Sequence, residues 1–145
     1  MIESRVAEAS SQTRTMETRQ QQVEQVVATG SAIDLIKAIA ADHGPVMFHQ
    51  SGGCCDGSAP MCYPEGDFVV GDRDKLLGHV GGMPFYISGS QFEYWQHTQL
   101  IIDVVPGRGG MFSLDGPTGQ RFLTRSRLYE AAEWAWLLAH GRVSG

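Results

Sequence analysis

The stretch that decides the fold is TQLIIDVV, Thr98 to Val105. Five of its eight residues are β-branched, which suits a pleated, half-buried surface and disfavours a helix. It is expected to be a central strand buried on at least one face. Asp103 interrupts it, and a carboxylate there needs a partner or a cavity to face. Toward the N-terminus come shorter β-like runs separated by glycine and proline: VMFHQ (46–50), DFVV (67–70), LLGHV (76–80) and PFYIS (84–88). Toward the C-terminus, MFSL (111–114) and RFLT (121–124) flank DGPTG, a turn composition that predicts a hairpin.

Helical patterns bracket these runs. In SAIDLIKAIAADHGP (31–45), Ser31 is the expected cap, Ile33, Leu35, Ile36, Ile39 and Ala40 form the apolar side, and Gly44 with Pro45 ends the helix. In SRLYEAAEWAWLLAHG (126–141), Ser126 is the expected cap, Leu128, Ala131, Ala132, Ala135, Leu138 and Ala139 follow helical spacing, and Gly141 is the stop. The fold class is therefore α+β: a mainly antiparallel sheet or partial barrel of short strands flanked by an N-terminal and a C-terminal helix. Residues 1–30, polar and Gln-rich at first, read as a flexible or partly helical extension, with Met16 an alternative start. Residues 31–145 read as a single α+β domain.

Composition narrows the function classes. The 145 residues carry a formal charge of −5, which argues against broad binding to nucleic acid or to an anionic membrane. No apolar run is long enough to span a bilayer, and the first residues lack the apolar core of a secretory signal. The expected compartment is the cytoplasm, where three cysteines make no disulfide framework and metal or redox chemistry gains weight.

All three cysteines lie in FHQSGGCCDGSAPMCYP (48–64) as Cys54, Cys55 and Cys62, with His49 just upstream. Adjacent cysteines point apart in an extended chain, so one ion could take both only across a tight turn, which the neighbouring glycines permit. Thiolate and imidazole suit zinc or another transition metal. The candidate ligands are Cys54, Cys55, Cys62 and His97, with His49, Glu93 and Asp103 as alternates or supports. Glu93 and His97 share a face whether QFEYWQHTQLIID is extended or begins as a helix. His97 or Asp103 could be an acid or base, and Asp103 reads equally as a carboxylate held by backbone or arginine. A basic cluster of Arg108, Arg121, Arg125 and Arg127 could bind a small anion, Arg125 and Arg127 from the start of the last helix, or could pair with the chain's acids. His43 and His140 suit helix ends, and His79 has no assigned role.

The strings HGPVMFHQSGGCCDGSAPMCYPEGDF, FEYWQHTQLIIDVVPGRGG and GQRFLTRSRLYE resemble the bacterial domain-of-unknown-function family 779, over about Ile33 to Tyr129. Members of that family are often encoded near aldehyde dehydrogenases. The resemblance implies a role around aldehyde or alcohol oxidation and specifies no reaction. Three readings follow. The first is a metal-binding accessory protein. The second is a thiol-based redox protein or cysteine-dependent enzyme acting on a small aldehyde or peroxide, with His97 or His49 as base and Cys55 or Cys62 as resolving thiol. The third is a non-catalytic partner of an aldehyde dehydrogenase. A small-molecule ligand is compatible with the first two.

Overall fold

The computed structural model describes residues 23–50, 59–67, 70–107 and 113–143. The described residues divide into two compact units, one within residues 24–128 and the other comprising Val23 and residues 129–143. The α+β class stands: the described residues hold seven strands and three helices in two sheets, with no closed barrel among them.

In the larger unit, β1 (Val26–Ala28), β6 (Thr98–Pro106) and β7 (Gln120–Leu128) form one sheet in the order β1-β6-β7. The expected central strand is β6, with Leu100 and Ile102 fully buried. The second sheet has the order β3-β2-β5-β4, from β2 (Val46–Gln50), β3 (Met61–Pro64), β4 (Asp74–Val80) and β5 (Met83–Ser88). Both sheets are mixed, which departs from the expected antiparallel plan: β1 runs parallel to β6, and β2 runs parallel to β5. Local turns specify hairpins such as β4–β5, where Gly81 and Gly82 take φ of 56° and 82°. Parallel pairs arise from long crossovers, which leave no local turn signature.

The core lies between the sheets. Phe48 of β2 stacks on Phe85 of β5 and meets Phe122 of β7 edge-on, with ring centres 6.0 and 5.1 Å apart. A hydrogen bond also crosses this core: the Thr124 hydroxyl donates to Gln50 Oε1 at 2.8 Å, both residues fully buried. A Cβ on Gly78 would stand 3.0 Å from a Val26 methyl, a tight contact that glycine avoids where β4 approaches β1.

Helix α1 (Gly30–His43) buries Ala32, Leu35, Ile36 and Ile39 and ends at Gly44, φ 81°. Its cap is Thr29, two residues before the expected Ser31: the Thr29 hydroxyl accepts from Ala32 N–H. Helix α2 (Gly89–Trp95), capped by Ser88, turns the chain from β5 into β6. Of the expected strand MFSL, residues 111 and 112 lie outside the described residues, and Ser113 and Leu114 are not in a strand. DFVV likewise falls partly outside, at residues 68 and 69.

In the smaller unit, α3 (Ala131–Ala139) is capped by Glu130, whose side chain forms a reciprocal box with Glu133. Ser126, the expected cap, belongs to β7, because the β6 ladder holds the chain extended through Leu128. Leu137 is the buried residue of this helix, whereas Ala131, Ala132, Ala135 and Leu138 are exposed. The His140 ring stacks on Trp136 at 3.9 Å, and its Nδ1–H donates to the Trp136 carbonyl.

Candidate functional site

The register of the second sheet sorts its side chains into two faces. Cys62, Phe48 and Phe85 are paired across β3, β2 and β5, and all three are buried in the core. One residue along, Met61, His49, Tyr86 and Leu76 form the next row across β3, β2, β5 and β4. Successive side chains of a strand point to opposite faces, so this row lies on the side away from the core. His49 is in its middle and only 4% exposed.

Asp74, the first residue of β4, reaches His49 from the same face. His49 Nε2 and Asp74 Oδ1 are 2.8 Å apart, and Asp74 Oδ2 accepts from Gly71 N–H at 2.8 Å. The bond from His49 first, and the Gly71 N–H second, hold the Asp74 carboxyl below the usual carboxylate range. At neutral pH Asp74 is therefore ionised and can only accept, so Nε2 carries the hydrogen. The carboxylate thereby sets the tautomer of the ring at this contact. The chain leaves β2 immediately after His49 and Gln50 and re-enters at Met61, the partner of His49. Cys54 and Cys55 belong to this connection and lie outside the described residues.

The remaining sequence candidates are distributed elsewhere. Cys62 is fully buried on the core face, opposite to His49, and burial first, then the charge of Asp115, pushes its thiol up to about 12. Its neighbours explain why it is there. Cys62 N–H donates to Ser113 Oγ at 2.8 Å, Ser113 donates to the buried Asp115 carboxylate, and Asp115 Oδ2 accepts from Phe122 N–H at 2.9 Å. Glu93 on α2 and His97 just after it are both exposed. Asp103 accepts from Arg125 Nε at 2.9 Å, from its neighbour Val104 N–H and from the Thr29 hydroxyl. Those bonds, Arg125 first, hold its carboxyl below the usual range; this is the arginine-and-backbone reading of the residue. Among the described residues, which include Cys62, His49, His97, Glu93 and Asp103, no three His, Cys, Asp or Glu side chains are grouped as a metal would require. Arg121, Arg125 and Arg127 alternate along β7 and do not open the last helix. Arg108 lies outside the described residues.

A cleft of about 430 Å³ opens between α1 and the 3-10 turn Gly116–Thr118, lined by Leu35, Ile39, Asp42, His43 and Gln120 among others. It holds no paired acid and base comparable to His49 and Asp74, and the Thr118 hydroxyl in its wall is already bonded to the Asp115 and Gln120 carbonyls. Among the described residues no helix is long and apolar enough to cross a membrane. Sequence reasoning missed Asp74 and Tyr86. Neither has a motif, since Asp74 is 25 residues from His49 and Tyr86 joins it only through a parallel pairing.

A family model described as Domain of unknown function (DUF779) matches residues 35–128. No curated protein matches the chain.

Proposed function

The chain belongs to the DUF779 family, and from that premise we propose that it is a cysteine-dependent protein in which His49, oriented by Asp74, activates a thiol of the Cys54–Cys55 pair. The observation that carries this reading is the partly buried 2.8 Å bond between His49 Nε2 and Asp74 Oδ1 at the root of the cysteine connection. A carboxylate that orients an imidazole in this way supports its action as the base for a cysteine nucleophile. Cys54 follows Gln50 by four residues, which limits their separation to about 14 Å. The thiolate adds to a small electrophile. With an aldehyde, the sulfur bonds to the carbonyl carbon, the π pair moves to oxygen, and that oxygen takes the proton held by His49. The product is a hemithioacetal. An aldehyde is the first substrate class to test because of the resemblance-implied link to aldehyde oxidation, and an aldehyde dehydrogenase is the corresponding candidate partner.

The same bond favours one second reading. Metal-bound imidazoles commonly donate their other N–H to a carboxylate, so Cys54, Cys55 and His49 could hold zinc or another transition metal. The larger set with Cys62 and His97 does not fit, since Cys62 faces the core. Alkylation by iodoacetamide across pH, in wild type and in Cys54→Ser, Cys55→Ser and Asp74→Asn, tests the first reading. One thiol should react well below the pH of a free thiol, and Asp74→Asn should remove that advantage. Elemental analysis of the same proteins separates the readings: stoichiometric metal lost in both serine variants supports the second. Ordinary thiol rates without metal contradict both.

A further inference from the structure

We propose that the cleft between α1 and the 3-10 turn binds a small aliphatic amine in its ammonium form, at a site that uses neither His49 nor the cysteines. One face of α1 supplies the first wall, where Leu35, Ala38, Ile39, Asp42 and His43 recur at helical spacing. That face runs about 10 Å from Leu35 to Asp42, and its polarity changes along the way. Leu35 and Ile39 are buried aliphatic side chains, whereas Asp42 and His43 are exposed in the last turn. The opposite wall is Leu114, Pro117, Thr118 and Gln120. This wall is pinned in place: the Thr118 hydroxyl is bonded to two carbonyls, and Asp115, just before the 3-10 turn, accepts from Phe122 N–H at 2.9 Å. The volume, about 430 Å³, falls in the range of small-molecule sites.

Charge at the polar end selects the ligand. Among the described residues the Asp42 side chain makes no hydrogen bond or ion pair. The last turn of α1 also leaves carbonyls at the negative end of the helix dipole, which favours a cation. None of the described lining residues is Lys or Arg, so this end of the cleft attracts positive charge and holds none of its own. An ammonium can donate to the Asp42 carboxylate and to the Gln120 amide oxygen, while its alkyl chain lies against Leu35, Ile39 and Leu114. A carboxylate of the same length is repelled by Asp42. A neutral alcohol gains the apolar half of the site and little from its charge.

The test titrates hexylamine, hexanol and hexanoate into the full-length, isotope-labelled chain and follows backbone amide shifts by NMR. Hexylamine should give saturable shifts centred on residues 35–43 and 114–120, with hexanol weaker and hexanoate without effect. Asp42→Asn should weaken hexylamine about fivefold, as expected of one partly exposed ion pair, and leave hexanol unchanged. Ala38→Phe, at an exposed position of the α1 wall, fills the cleft and should abolish the binding of both. Urea midpoints check that the two variants fold. Shifts that do not saturate, or that hexanoate reproduces, overturn the proposal. So does hexylamine binding at wild-type strength in Asp42→Asn or in Ala38→Phe.

Discussion

Asp115→Ala should destabilise the protein more than any surface substitution, for a reason that can be counted. Asp115 is 1% exposed, and its carboxylate accepts from the Ser113 hydroxyl and from Phe122 N–H. Ser113 in turn accepts from Cys62 N–H. One side chain therefore ties the turn before β7 both to β7 itself and to β3. Alanine leaves the Ser113 hydroxyl and the Phe122 N–H without their acceptor in a dry environment, at about 1–3 kcal/mol each. The sum is about 2–6 kcal/mol, or a fall in Tm of roughly 6–20 °C for a chain of this length. Asp115→Asn should lose less, because its Oδ1 can still accept from Phe122 N–H and only the Ser113 hydroxyl hydrogen loses its acceptor. Urea unfolding followed by circular dichroism reads both variants, with an unchanged slope confirming that stability alone has moved. An alanine variant within about 0.5 kcal/mol of wild type, far below the cost of two orphaned groups, would refute the reasoning.

Cys62 should resist iodoacetamide in the folded protein at neutral pH, with its thiol at about 12; mass spectrometry should find its label only across the unfolding transition. Asp103→Asn should cost about 1 kcal/mol or less at neutral pH, since the Arg125 pair is partly exposed. The Asp103 carboxyl is lowered in the fold, so its contribution is present above the ordinary carboxylate range and is lost as pH falls through the folded value. The gap in Tm between wild type and Asp103→Asn should accordingly narrow in acid. Thr124→Val removes the donor to buried Gln50 Oε1 and should lower stability by about 1–3 kcal/mol in the same urea assay.

The strands with strong local signatures were legible from the sequence. TQLIIDVV is the buried central strand, VMFHQ coincides with β2, and the glycine pair between LLGHV and PFYIS closes a hairpin. Helix starts were less legible. Ser31 and Ser126 have the chemistry of caps, yet Thr29 and Glu130 do the work, because tertiary pairing decides where the extended backbone ends. For the candidate site, the two-residue alternation of a strand would have separated His49 from Cys62, but only once it was known that Met61, not Cys62, stands opposite His49. Register depends on the partner strand and cannot be read from one run alone. Asp74 was hidden for the same reason: it is brought to His49 across β5, and no spacing along the chain encodes that approach.

The most direct measurement is a pH titration of thiolate absorbance in the ultraviolet, in wild type, His49→Gln and Asp74→Asn. A free thiol ionises near pH ~8.5. Wild type should show one thiolate appearing well below that value, His49→Gln should abolish the early step, and Asp74→Asn should shift it upward. Wild-type ionisation indistinguishable from a free thiol, or an early step that survives in His49→Gln, would contradict the assignment of His49 and Asp74 as the groups that activate the cysteine pair.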